Sequence, residues 1–182
     1  MSDLSIDFSR FCDRLKFHVS SDFILNDYLS SDYLWNSKFI RSKLCLAIGN
    51  YYQMEPKTVC DIAVVSELIH NASLIHDDII DGDELRRNVP SIWKQHGKNN
   101  AILLGDLLIA KSFKIISDLE ISDSSKVVAM ELLSETISAL VKGVFHEINE
   151  DFKNQLDVND AYIEMISQKT GKLIQFLSLI HI

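Results

Sequence analysis

Cysteine, proline and glycine are all scarce in this 182-residue chain, which has three, two and six of them. Cys12, Cys45 and Cys60 are odd in number and sit at no metal-ligand spacing. That argues against a disulfide framework or a zinc site and for reduced, buried thiols in a cytoplasmic protein. With only Pro56 and Pro90 as strong breaks, no strand-like alternation runs between turn signals, and helical periodicity dominates. No export signal opens the chain, because Met1 to Phe11 mixes Asp, Ser and Arg with scattered apolar residues. The most apolar stretch, Ala101 to Ala110, is interrupted by Gly105 and Asp106 and is too short to span a bilayer, so no transmembrane segment is predicted. Excess positive charge is also missing. The formal net charge of −8 argues against broad nucleic-acid binding and makes any local cluster of Arg and Lys more noticeable.

What remains is a 47% apolar, ordinarily charged composition, that of a soluble globular protein. Its length suits one domain over 1–182, an all-α helical bundle with a sizeable core. The periodicity predicts helices over Leu4–Val19, with Leu4, Phe8, Phe11, Leu15 and Val19 on one stripe, over Asp22–Leu34 and over Lys38–Tyr52. Further helices are expected over Thr58–Asp81, Pro90–His96, Ala101–Leu119, Ser124–Glu150 and Asn159 onward, with loops at 82–89, 97–100, 120–123 and 153–158.

The segment from Ile62 to Asp81 is too apolar for a surface helix and should run through the core. At about 100° per residue, His70, Asp77 and Asp81 fall within about 40° of one another. Clustered charge at the end of a core helix is costly unless something compensates it. Magnesium would, since it takes one or two carboxylates and completes its octahedron with water and phosphate oxygens. A solvated acidic helix end is the plain alternative. The residues that follow, Asp83-Glu84-Leu85-Arg86-Arg87-Asn88, bring two adjacent arginines. They would pair with the carboxylates structurally, or clamp the same anion from the other side in bidentate fashion.

These residues resemble the trans-isoprenyl diphosphate synthase (polyprenyl synthetase) family. The block Ser73-Leu-Ile-His-Asp-Asp-Ile-Ile-Asp-Gly-Asp-Glu-Leu-Arg-Arg-Asn-Val-Pro-Ser91 is similar to its first aspartate-rich region. Ala101-Ile-Leu-Leu-Gly-Asp-Leu-Leu-Ile-Ala110 is similar to the next block and Lys169-Thr-Gly-Lys-Leu173 to a later one. The resemblance implies a helical bundle of the isoprenoid synthase type that condenses isopentenyl diphosphate with an allylic diphosphate. Asp77 and Asp81, with Asp78 beside them, would hold Mg2+ on the allylic diphosphate, which Arg86, Lys169 and Thr170 would contact. Lys38, Arg41, His70 and Arg87 stand where the family binds isopentenyl diphosphate. Ala72 and Ser73 replace the bulky aromatics that cap the growing chain, which implies products of geranylgeranyl length or longer. The family also implies a homodimer.

Three departures stand out. A second aspartate-rich motif is expected on a later helix, and no other DDxxD-like run exists in the 182 residues, so the chain reads as truncated before it, without the family's C-terminal helices. Asn36-Ser37-Lys38-Phe39 stands for the usual Gly-Gly-Lys-Arg, and Val144 for a glutamine after Gly143. A non-catalytic or regulatory subunit of the same fold, or an inactive fragment, is therefore the alternative reading. A terpene cyclase is disfavoured by the Arg86-Arg87 pair, the Lys169-Thr170-Gly171 block and the position of His70. A di-iron bundle would need Glu-x-x-His on two helices, and Glu67-Leu-Ile-His70 supplies one.

Overall fold

The computed structural model describes residues 7–29, 32–149 and 176. The chain divides into two compact units, Met1–Glu120 and Ile121–Ile182. The first contains α1 (Phe8–Ser20), α2 (Phe23–Leu29), α3 (Asp32–Trp35), α4 (Ile40–Tyr51), α5 (Pro56–Asp81), a hairpin of β1 (Leu85–Arg86) and β2 (Val89–Pro90), α6 (Ile92–His96) and α7 (Lys98–Ser117). In the second, the described helix is α8 (Asp123–Asn149), preceded by Ser122, whose hydroxyl accepts the Ser125 N–H at 3.1 Å. The all-α expectation holds.

The organising element is α5. Glu55 caps it, its carboxylate accepting the N–H groups of Lys57 and Thr58 at 2.9 and 2.6 Å. Pro56 at the first position needs no N–H partner there. The helix therefore begins two residues before the expected Thr58, because the proline opens the helix instead of breaking the chain ahead of it. Gly82, in the left-handed region at φ 73°, ends it. Between these caps Ile62, Ala63, Val64, Val65, Leu68, Ile69 and Ile75 are at most 2% exposed. Among the described helices α5 alone has the length and hydropathy to cross a bilayer, but 83% of that window is buried inside the fold, which makes it a core helix.

Helices α1, α4 and α7 pack around α5. Two glycines set the closest approaches. A Cβ on Gly49 would stand 2.5 Å from the Val59 Cγ1, and one on Gly105 would stand 2.2 Å from the His76 Nε2. The α1 stripe buries Phe11, Leu15 and Val19 as its periodicity predicts. It also carries Arg14, which grips Asp61 of α5 bidentately at 2.7 and 2.9 Å, while His18 Nε2 lies 2.9 Å from the same carboxylate.

Several local expectations are corrected. The stretch Asp22–Leu34 gives two elements, α2 and α3, rather than one helix. Pro90, expected to open a helix, pairs with Leu85 in the hairpin instead. Residues 98–100, expected as a loop, form the first turn of α7 after Gly97 turns the chain at φ 85°. The loop expected at 82–89 contains all of the hairpin but Pro90, and the two-residue turn, Arg87-Asn88, has φ of 53° and 68°. Both values belong to the turn that matches strand twist. The helix expected from Asn159 onward and the loop at 153–158 lie outside the described residues, Phe176 excepted.

Candidate functional site

Arg86 ends β1 in extended backbone while Arg87 begins the turn at φ 53°, and the two arginines meet different targets. Arg86 turns back onto α5, where its Nε donates to Asp78 Oδ1 at 2.6 Å and its Nη2 pairs with the same oxygen. The other Asp78 oxygen accepts the Tyr33 hydroxyl of α3 at 3.3 Å. Asp78 has no exposed surface and Tyr33 only 3%, so this is a buried, paired carboxylate. Burial opposes the Arg86 charge, and the bond and charge of Asp78 outweigh it, leaving the guanidinium pKa raised. Burial, then the Asp78 charge, pushes the Tyr33 hydroxyl well above its ordinary pKa and keeps it a neutral donor. Asp78, expected beside the metal, thus has both oxygens engaged by side chains, and Arg86, expected on substrate, is what engages one of them.

Asp77 is half-buried and Asp81 exposed, one turn apart at the end of α5. Among the described residues no three His, Cys, Asp or Glu side chains converge to hold a metal by themselves. Two carboxylates one turn apart, one of them open to solvent, are a hard-oxygen donor set that fits magnesium. That ion takes one or two protein carboxylates and completes its shell with water and phosphate oxygens.

Arg87 points the other way, into a cavity of about 500 Å³. Its wall holds Lys38, Arg41, His70 and Arg87 together with Asn36, Phe39 and Glu67, so the four residues expected at one diphosphate come together in one place. Lys38 comes from the approach to α4, Arg41 from its first turn, His70 from the middle of α5 and Arg87 from the hairpin. Burial, then the neighbouring Arg41, Arg87 and Arg86 charges, lowers the His70 pKa to about 3, so its imidazole is neutral. A neutral imidazole still offers one N–H to an anion. Burial also lowers the Arg41 pKa, partly offset by Glu67, and the guanidinium remains charged.

The unusual Asn36-Ser37-Lys38-Phe39 approach has a structural account. Asn36 Nδ2 donates to the Arg87 carbonyl at 3.4 Å, tying this segment to the hairpin. Phe39 adopts φ 50°, a strained position for a bulky residue, and is held there by ring contacts with Phe8, Phe11 and Trp35 at 5.5–6.3 Å between centroids. Phe39 thus belongs to an aromatic cluster that fixes the loop carrying Lys38.

Ala72 is buried on α5, and Ser73 beside it donates its hydroxyl to the His70 carbonyl at 2.8 Å. Lys169 and Thr170 lie outside the described residues. Sequence reasoning missed Tyr33, Ser42 and Glu67. Glu67 had a visible signal, a lone carboxylate inside the apolar run of a core helix, whereas Tyr33 and Ser42 had none.

An apolar core helix ending in carboxylates, beside a cavity lined with cations, is the arrangement of the isoprenoid-synthase helical fold. The polyprenyl synthetase profile matches residues 25–180, and the chain belongs to that family. It is 34% identical over 149 residues to the geranylgeranyl diphosphate synthase of Methanosarcina mazei, covering 80% of this chain and 45% of that protein. It is 34% identical over 166 residues to a short chain isoprenyl diphosphate synthase of Methanocaldococcus jannaschii, covering 90% and 49%. The geranylgeranyl pyrophosphate synthetase structure from Pyrococcus horikoshii superposes with a TM-score of 0.84 at 29% identity, over 97% of this chain and 54% of that one. The chain thus spans about half the length of these relatives.

Proposed function

We propose that this chain carries the diphosphate-handling half of a magnesium-dependent trans-prenyltransferase, which condenses isopentenyl diphosphate with an allylic diphosphate toward geranylgeranyl or longer products. The observation that carries this reading is the convergence of Lys38, Arg41, His70 and Arg87 on one cavity, with the Asp77–Asp81 helix end on the same core helix as His70. We place the protein in the cytoplasm as a homodimer, on the family resemblance and on its composition.

In the reading, Lys38, Arg41 and Arg87 hold the diphosphate of isopentenyl diphosphate, with the neutral His70 imidazole as a further donor. Magnesium held by Asp77 and Asp81 would neutralise charge developing on the departing allylic diphosphate. Arg86, fixed by Asp78 and Tyr33, keeps Arg87 aimed into the cavity through the shared turn. The allylic carbon–oxygen bond breaks, and the isopentenyl double bond attacks the resulting cation. The new carbon–carbon bond forms and a proton leaves, with no nucleophilic side chain required. The apolar surroundings of α5 keep water from the cation.

Product analysis tests the reading: the chain is incubated with radiolabelled isopentenyl diphosphate, farnesyl diphosphate and Mg2+, alongside Asp77→Ala. Extension of the prenyl chain by wild type, lost in the variant, supports it. Farnesyl diphosphate as the sole end product from geranyl diphosphate would count against the longer-product assignment. A non-catalytic subunit of the same fold is the second reading, favoured by the engagement of both Asp78 oxygens by Arg86 and Tyr33. Saturable isopentenyl diphosphate binding without turnover would favour it.

A further inference from the structure

Among the described residues, Glu67 is the one acidic side chain in the cavity wall, and no role above uses it. It sits on the cavity side of α5, 1% exposed, where three cations converge. The Ser42 hydroxyl of α4 donates to its Oε1 at 2.7 Å, while its Oε2 has no hydrogen-bond partner among the described residues. A buried carboxylate oxygen left unpartnered beside arginines demands an explanation. The charged and titratable groups that face it are Arg41 from α4, Arg87 from the hairpin, Lys38 from the approach to α4 and His70 one turn along α5. None of them bonds to Oε2, although Arg41 Nε is itself buried without a partner.

A protonated carboxyl resolves this arrangement. The oxygen that accepts from Ser42 is then the carbonyl-like one, and the acid hydrogen rides on Oε2 at the cavity wall. Burial raises the Glu67 pKa from its ordinary value, with the Ser42 bond and the Arg41 charge opposing it. A buried carboxylic acid in its neutral form is a good donor to an oxyanion, and the ionised form would repel one.

We propose that Glu67, in its protonated form, is an additional hydrogen-bond donor to an anionic oxygen bound in this cavity, beside Lys38, Arg41, His70 and Arg87, and that it links anion affinity to pH. This rests on the reading of the cavity as a diphosphate site and adds a specificity determinant to it: the site favours a diphosphate or phosphate ester presented to a protonated acid. Binding and protonation favour each other, so affinity is full below the Glu67 titration. It falls by up to about tenfold per pH unit as pH rises through it.

Sulfate is a suitable probe because its own charge is constant over that range, with inorganic diphosphate as the second ligand. Calorimetric titration of the full chain from acidic to mildly alkaline pH should show wild-type sulfate affinity falling with pH. Glu67→Gln, which keeps a donor of the same shape but cannot titrate, should bind with a flattened profile. Glu67→Ala should be flat and weaker at the acidic end. At a pH above the Glu67 titration, infrared difference spectra should show a protonated-carboxyl band growing on sulfate addition to wild type. That distinguishes Glu67 from His70 and needs no variant to fold. Identical pH profiles for wild type and Glu67→Gln, or no carboxyl band on binding, would overturn the inference alone. No saturable binding of either anion to any form would overturn the anion-cavity reading and the inference with it.

Discussion

Replacing Arg86 with alanine would leave Asp78 charged, with a side chain only 1% exposed and one weak neighbour, the Tyr33 hydroxyl at 3.3 Å. Breaking a buried pair from one side leaves an uncompensated charge, at a cost of about 3–5 kcal/mol. Arg86 itself keeps 23% of its side chain in water, so some solvent can follow the vacated space, and the lower end applies, about 3 kcal/mol. For a chain of this size that corresponds to a fall in Tm of roughly 6–12 °C. The assay is urea and thermal unfolding followed by circular dichroism, in metal-free buffer. The companion variant removes all three polar partners, Tyr33→Phe, Asp78→Leu and Arg86→Met, and should recover at least half of the loss, because an apolar replacement of a buried pair costs little. A loss under about 1 kcal/mol for Arg86→Ala, the scale of an exposed pair, would refute the reasoning. So would a triple variant less stable than the single one.

Other outcomes follow from the same geometry. Gly105→Ala should destabilise by about 1–3 kcal/mol through overpacking, because its Cβ would stand 2.2 Å from the His76 ring; His76→Ala in the same chain should restore most of it in a thermal melt. Arg87→Gly should raise stability by about 1 kcal/mol, since Arg87 holds φ 53°, while weakening diphosphate binding in a calorimetric titration. His70, whose pKa is lowered from 6.5 to about 3, binds a proton more readily unfolded than folded. Its contribution is therefore full above 6.5 and is lost as pH falls below that, costing up to about 2 kcal/mol by pH 5. Unfolding curves of wild type and His70→Gln should diverge by that amount on acidification, and parallel curves would refute it.

The sequence was most legible where periodicity and capping agree. The apolar run ending at Gly82 revealed the core helix, and the α1 stripe revealed its buried face. Lys38, Arg41, His70 and Arg87 are distant in sequence, and their convergence on one cavity was anticipated only through the family resemblance. The hairpin was invisible because two-residue strands show no alternation and the Arg87-Asn88 turn lacks glycine. The start of α7 was missed because Gly97 turns the chain before residues that carry no capping side chain. The partition of the arginine pair was equally hidden: nothing in Arg86-Arg87 says that one neutralises Asp78 and the other enters a cavity, because the turn conformation decides it.

Binding of radiolabelled isopentenyl diphosphate by equilibrium dialysis tests the central claim most directly. Wild type should bind saturably at one site, and Arg41→Gln and Arg87→Gln should each weaken binding at least about tenfold, or 1.4 kcal/mol. Absence of saturable binding, or affinity unchanged in both variants, would contradict the account.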